Sequence, residues 1–195
     1  MMRSGVVLCG GQSLRMGRDK ASLPFGDETL LTRAIRLVSS AVDDVVVVAR
    51  KHQIVPDGPI VMRDPVDGQG PLSGLVTGLH ASRGALVFVT ACDMPLLKPA
   101  VITRLFELTG DADVCVPVVG AHTMTLCAVY RRTILPDAEA LVAAGQLSVR
   151  ALVDRVNARK VDAAELRDID PQLESFFSCD TPERYEEALR ISGTP

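Results

Sequence analysis

The stretch Val45-Val46-Val47-Val48-Ala49 sets four β-branched residues in a row. A half-buried strand alternates apolar and polar side chains, so an unbroken apolar run needs cover on both faces. Val6–Cys9, Ile60–Met62, Ala85–Thr90, Val114–Val118 and Thr125–Tyr130 also read as strands, several in the same unbroken form. Between these runs apolar residues recur with helical period: Leu31, Ala34, Ile35 and Val38; Leu72, Leu75, Val76 and Leu79; Val101, Ile102, Leu105 and Phe106; Val149, Leu152, Val153 and Val156. Thr181-Pro182-Glu183 reads as a helix start, a capping hydroxyl followed by proline in the first turn, with Tyr185, Ala188 and Leu189 as the buried face. The alternation predicts an α/β chain: a three-layer α/β/α sandwich around a Rossmann-like, mostly parallel sheet. Residues 119–180 break the rhythm and predict an antiparallel addition toward the C-terminal third, with 162–171 as a polar loop.

Length and charge narrow the partners. At 195 residues the chain suits one globular domain over 1–195. The net charge of -3 argues against nucleic acid as the default partner, and 4% aromatic content without Trp argues against a base-stacking surface. The cysteines Cys9, Cys92, Cys115, Cys127 and Cys179 are odd in number, lack C-x-x-C spacing and mostly adjoin apolar runs. They read as buried thiols in a reducing compartment. The apolar stretch Val6–Cys9 is too short for a signal-peptide core, and no run reaches the roughly 18 residues of a membrane span. A cytoplasmic protein is expected.

In an open α/β sheet ligands bind beyond the carboxyl ends of the strands, so the residues that follow the strands read as one group. After the first strand comes "LCGGQSLRMGRDK", residues 8–20. Gly10 and Gly11 allow a tight turn that presents backbone N–H groups to an anion, and Arg15, Arg18 and Lys20 supply positive charge. The pattern reads as a phosphate cradle rather than a solvated surface loop with ordinary turn glycines. It is not a Walker loop, because Gly17 is followed by Arg18-Asp19, and it is not the G-x-G-x-x-G dinucleotide fingerprint. After the third strand, "RDPVDGQGPLSGL" (63–75) puts Gly68 and Gly70 before Pro71, which opens a helix whose N-terminal amides would face the pocket; Gly74 and Gly78 leave one side of that helix bare. After the fourth, "VTACDMPLL" (89–97) ends an apolar strand in Asp93, a turn cap or a metal ligand.

These motifs resemble those of the molybdenum cofactor guanylyltransferases, within the wider class of enzymes that move a nucleoside monophosphate from an NTP. That family carries L-A-G-G-x-S-x-R-M-G-x-D-K at the first position, and this chain departs from it only in Cys9. It carries G-P-L-[AS]-G-[LM] at the second and C-D-x-P at the third, where its aspartate binds magnesium. The resemblance implies a nucleotide site of Leu8, Cys9, Gly10, Gly11, Arg15, Lys20, Asp64, Gly70, Gly74 and Asp93. Arg15, Lys20 and Asp93 would be catalytic, and Asp93 would be the Mg²⁺ ligand. It implies GTP and molybdenum-molybdopterin as substrates, and other cofactor-biosynthesis proteins or a molybdoenzyme chaperone as partners. Residues 1–110 would form the nucleotide-binding part and 111–195 the acceptor part.

Two departures leave roles open. The family commonly ends F-x-N-x-N-T-P-E-[DE]; this chain reads "FFSCDTPERY" (176–185), with Ser178 and Asp180 at the asparagine positions. Asp180 is either a helix cap or a second metal or pterin-phosphate contact. Arg50 stands where relatives often place an asparagine touching the nucleotide. His122 falls where relatives often carry a polar residue near the acceptor, whereas His52 and His80 read as surface or core-edge residues. The residues alone do not choose guanine over cytosine. CMP transfer to molybdopterin, GMP transfer to a small phosphorylated acid, and a non-catalytic GTP-binding adaptor for cofactor delivery remain as other readings.

Overall fold

The computed structural model describes residues 2–9, 19–63 and 70–193. In chain order its strands and α-helices are β1 (Arg3–Leu8), β2 (Pro24–Phe25), β3 (Glu28–Thr29), α1 (Leu30–Ser39), β4 (Asp44–Ala49), β5 (Ile60–Arg63), α2 (Pro71–Ala81), β6 (Leu86–Ala91), α3 (Pro99–Thr109), β7 (Val114–Val119), β8 (His122–Thr123), β9 (Cys127–Arg131), α4 (Leu135–Ala143), α5 (Val149–Val153), β10 (Ala158–Asp162) and α6 (Pro182–Ser192). The central sheet runs β10-β7-β9-β6-β1-β4-β5, with β8 on β7. Pairs β1–β4, β1–β6, β4–β5 and β7–β10 are parallel. The antiparallel pairs are β6–β9, β7–β9 and β7–β8.

The valine run does what its pattern demands. Val46 and Val48 join Val6, Val87 and Val89 in a core beneath α2, α4 and α5. Val45 and Val47 join Val7 and Phe88 in a second core beneath α1 and α3. Helices therefore cover both faces of the sheet, giving the expected three layers. The antiparallel pairing falls on β8 and β9, inside the region expected to break the alternation. β9 lies within the sheet, between β6 and β7, and β10 runs parallel to β7 at the far edge.

Several elements were not foreseen. In β10 only Val161 is buried, so its sequence carries almost no strand period; charged, exposed residues are usual on an edge strand. The helical stripe ending in Val156 is cut short: α5 stops at Val153, and Val156 packs beyond it against the same core. Helix α4 carries no clear apolar stripe, with only Ala138 and Leu141 buried. The polar stretch 162–171 contains a 3₁₀ turn, Ala163–Leu166, whose Leu166 is fully buried.

The bare side of α2 lies against β1. A Cβ on Gly74 would stand 3.4 Å from Leu8 Cδ2, and one on Gly78 would stand 2.5 Å from Val6 Cγ1. The two glycines let this helix settle directly on the central strand.

A third, smaller cluster joins distant parts of the chain at one end of the sandwich. Leu23, Phe25 and Leu30 meet Leu96, Cys179 and Ala188, with Phe177, Tyr185 and Leu189 packed around them. Thr181 caps α6 by accepting from Arg184 N, and the Tyr185 hydroxyl donates to the Pro24 carbonyl. The strap that leads into α6 is anchored by Asp170, which is fully buried. Asp170 accepts from Lys98 Nζ at 2.7 Å and from Ser175 N at 2.9 Å, while Ser175 Oγ accepts from Lys98 N. Burial alone would raise the Asp170 pKa; the Lys98 and Ser175 hydrogen bonds outweigh it and hold the carboxyl below its usual range.

Two stability predictions follow from these contacts. Gly78→Ala adds a helix-favouring methyl but drives it into stiff Val6, so urea unfolding is expected to show a net loss of about 1–3 kcal/mol. Asp170→Ala orphans the buried Ser175 N–H and is expected to cost about 1–3 kcal/mol. Because the folded pKa of Asp170 lies below the unfolded one, its contribution is full above the ordinary carboxylate range and disappears as pH falls through the lowered value. The stability gap between wild type and Asp170→Ala, measured across acidic pH, should shrink in that direction.

Candidate active site

The ends of β1, β4 and β6 share one edge of the sheet. Leu8 pairs with Val48 and Ala91. The ladder runs one residue further: Cys9 N donates to Val48 O, and Cys92 N donates to Leu8 O, each at 3.0 Å. Cys9 and Cys92 are both buried. Burial, then the charge of Asp19, pushes the Cys9 thiol up to about 12 against the opposing pull of Arg50 and Arg63. Its Sγ donates to Val48 O at 3.3 Å. The cysteine that replaces the family's alanine is therefore a neutral, packed thiol.

Two chain segments meet just beyond this edge. Lys20 opens a 3₁₀ turn, Lys20–Ser22, capped by Asp19. The Asp19 side chain accepts from Ala21 N, and Ser22 Oγ donates to Asp19 O. Asp93 lies two residues past β6. Lys20 Nζ stands 3.1 Å from Asp93 Oδ2, and each side chain is 17% exposed. Residues 73 positions apart thus form an ion pair that is shielded yet reachable from solvent. Among the described residues no group of three or more His, Cys, Asp or Glu side chains could enclose a metal ion. A single strand-end carboxylate nevertheless suits Mg²⁺, which takes one or two carboxylates and completes its shell with phosphate oxygens and water.

The strap before α6 closes one side of this pair. Cys179 N donates to Asp93 O at 2.8 Å, so Ser178 and Asp180 flank the residue that touches Asp93. Thr181 is the helix cap, which removes that reading for Asp180; Asp180 instead lies 3.5 Å from Arg184. Arg184 also donates to Ser178 O and lies over the Phe177 ring, 4.1 Å from its centroid. His122 is exposed on β8 and pairs with Val119, at the end of β7. That end shares the sheet edge with Asp93, two strands away.

Gly70 adopts φ +80° at the start of α2, a conformation that favours glycine. A Cβ there would stand 3.1 Å from Leu147 Cβ, and Leu72 N donates to Leu147 O at 3.4 Å. One of the amides expected to face the pocket is therefore engaged by the loop before α5. Gly74 is buried against Leu8 and Val48. Gly10, Gly11, Arg15, Gly17, Arg18, Asp64 and Gly68 lie outside the described residues.

Two further residues join the site. Asp19, inside the glycine-rich motif, binds Arg50 Nη2 at 3.0 Å and Gln53 Nε2 at 3.0 and 3.1 Å. Arg50 is thus an Asp19 partner. Gln53 carries no sequence signal, because a glutamine in a short polar turn reads as surface; here it is 7% exposed.

Comparisons with known proteins bear on the family and the fold. Residues 5–161 match the family model described as a MobA-like NTP transferase domain. A Mycobacterium avium protein named probable molybdenum cofactor guanylyltransferase is 38% identical over 86% of this chain and 88% of its own. A molybdenum cofactor guanylyltransferase of Desulfosudis oleivorans is 33% identical over 95% of this chain and 93% of its own. The crystal structure of molybdopterin-guanine dinucleotide biosynthesis protein A from Archaeoglobus fulgidus shares the fold, with TM-score 0.84 over 97% of this chain and 98% of that one at 23% identity. A matching family model over most of the chain, and relatives alike over nearly their whole length, make this protein a member of the MobA-like NTP transferase family and a nucleotidyltransferase.

Proposed function

We propose that the protein transfers GMP from Mg-GTP to molybdenum-molybdopterin, releasing pyrophosphate and forming the guanine dinucleotide cofactor. The observation that supports this reading is the Lys20–Asp93 pair: a cation from the glycine-rich motif and a carboxylate from the turn after β6, 3.1 Å apart. The names of the relatives, molybdenum cofactor guanylyltransferases, support guanylyl transfer to the molybdenum cofactor.

The acceptor is a phosphate, already ionised at neutral pH, so the transfer needs no general base. The difficulty is bringing two polyanions together while charge grows on the departing pyrophosphate. Positioning and electrostatic stabilisation are then the main tasks. In this reading the Gly10–Gly11 backbone and Arg15 hold the β- and γ-phosphates. Lys20 turns from Asp93 toward the α-phosphate and the bridging oxygen, where negative charge accumulates. Asp93 holds Mg²⁺, which when bound supplies charge neutralisation at the phosphate oxygens. Leu8 and Cys9 would form the floor beside the phosphates, and Asp64 and Gly70, with the first turn of α2 that Gly74 seats on β1, would serve the guanosine side. Ser178, Asp180 and His122 belong to the acceptor side. Residues 1–110 thus serve the nucleotide and 111–195 the acceptor, within a single domain over 1–195.

The test is transfer by purified variants, with pyrophosphate release followed. Lys20→Ala and Asp93→Ala are each expected to lower the rate by about 10²–10³-fold. Near-wild-type turnover in both contradicts the assignment. Thermal-shift titration with GTP, CTP, ATP and UTP, each with Mg²⁺, should show stabilisation by GTP above the others. Preference for CTP would redirect the reading to cytidylyl transfer, and GTP binding without pyrophosphate release would redirect it to a delivery adaptor.

A further inference from the structure

The residue before Lys20 is gripped by groups that the transfer chemistry does not use. Gln53 Nε2 donates to both carboxylate oxygens of Asp19, and Gln53 Oε1 accepts from Arg50 N at 3.2 Å. Arg50 Nη2 reaches Asp19 Oδ1 from another side. The turn that carries Gln53 is itself closed by Gln53 N donating to Arg50 O, and it is tied to the end of β5 by Arg63 Nη1, which donates to the carbonyls of Arg50 and Gln53, each at 2.8 Å. Asp19 then caps the turn that Lys20 opens, through Ala21 N. A continuous hydrogen-bonded path leads from the ends of β4 and β5, through Gln53 and Asp19, to the Ala21 N–H in the turn that Lys20 opens.

The chemistry at position 53 is selective. The side chain must donate to a carboxylate and accept from a backbone N–H while nearly buried, and a neutral amide does both. A carboxylate there would face Asp19 with like charge, and an ammonium would leave Arg50 N without its acceptor. A lysine side chain has four flexible carbons, so the site of its ammonium depends on how firmly its backbone is held.

We propose that Gln53 is a positioning residue for nucleotidyl transfer: it fixes Asp19 so that the Lys20 ammonium stands where Asp93 and the reacting phosphate need it. The claim rests on the role given to Lys20 above. Gln53 touches neither substrate nor reacting atoms; it acts through Lys20.

The experiment is a double-mutant cycle on the full chain, with Mg-GTP and molybdenum-molybdopterin as substrates. Gln53→Met keeps similar bulk and removes the hydrogen bonds. It is expected to lower kcat by about 10-fold while the directly measured GTP dissociation constant changes by less than about twofold. In a Lys20→Ala background the same substitution should change kcat by less than about twofold, because the group it positions is gone. Gln53→Glu keeps the shape and opposes Asp19 with a second carboxylate, beside Arg50 and Arg63. Its kcat loss should shrink as pH is lowered and the introduced carboxyl protonates, which also gives a readout if Gln53→Met does not fold. Full kcat in folded Gln53→Met, an undiminished loss in the Lys20→Ala background, or a pH profile of Gln53→Glu that overlays wild type would each overturn the proposal. Full turnover by Lys20→Ala alone would instead remove the reading beneath it.

Discussion

Everything at the ligand edge turns on one ion pair. Lys20 follows β1 and Asp93 follows β6, 73 residues further on, and the two side chains form an ion pair. An uncompensated carboxylate at this edge would repel any anionic ligand. A lone ammonium would in turn be costly to hold half-shielded. The pair settles both problems in the resting protein. On the proposed function it would also define an exchange: with nucleotide and metal bound, the ammonium would gain phosphate oxygens and the carboxylate a divalent cation, so each charge would trade one partner for a stronger one.

The rest of the fold serves to bring these two side chains together. Parallel pairing of β1 with β4 and β6 aligns three strand ends, and helices on both faces fix the sheet. Gly78 and Gly74 let α2 rest on β1 at close range. The small third core then holds the Lys20–Phe25 segment against Leu96 and the strap, and Cys179 N secures the carbonyl of Asp93. Asp170 and Lys98 pin the strap itself. Asp93 is thus held from one side by the C-terminal strap, and Lys20 from the other by Asp19 and Gln53.

The parts legible in the sequence were those with strong local chemistry. Unbroken β-branched runs announced buried parallel strands, and Thr181-Pro182 announced α6 to the residue. Lys20 is legible as the last cation of the glycine-rich motif after β1 and Asp93 as the acid just past β6, and the two side chains meet. The parts that stayed hidden depend on tertiary partners. β10 buries one side chain and gains its identity from β7. Arg50 looked like a displaced nucleotide contact, and only the return of residue 19 beside β4 reveals its partner. Gln53 had nothing in its neighbours to mark it as buried. The bare face of α2 signalled close packing, but the sequence could not say that the packed object was β1.

The most direct test is a crystal structure of the protein with Mn²⁺ and a non-hydrolysable GTP analogue, with the metal located by its anomalous scattering. The exchange described here predicts manganese bound to an Asp93 carboxylate oxygen and to phosphate oxygens, with Lys20 Nζ moved from Asp93 to the phosphate chain. A nucleotide complex in which the metal lies away from Asp93 and the Lys20–Asp93 contact persists unchanged would contradict it.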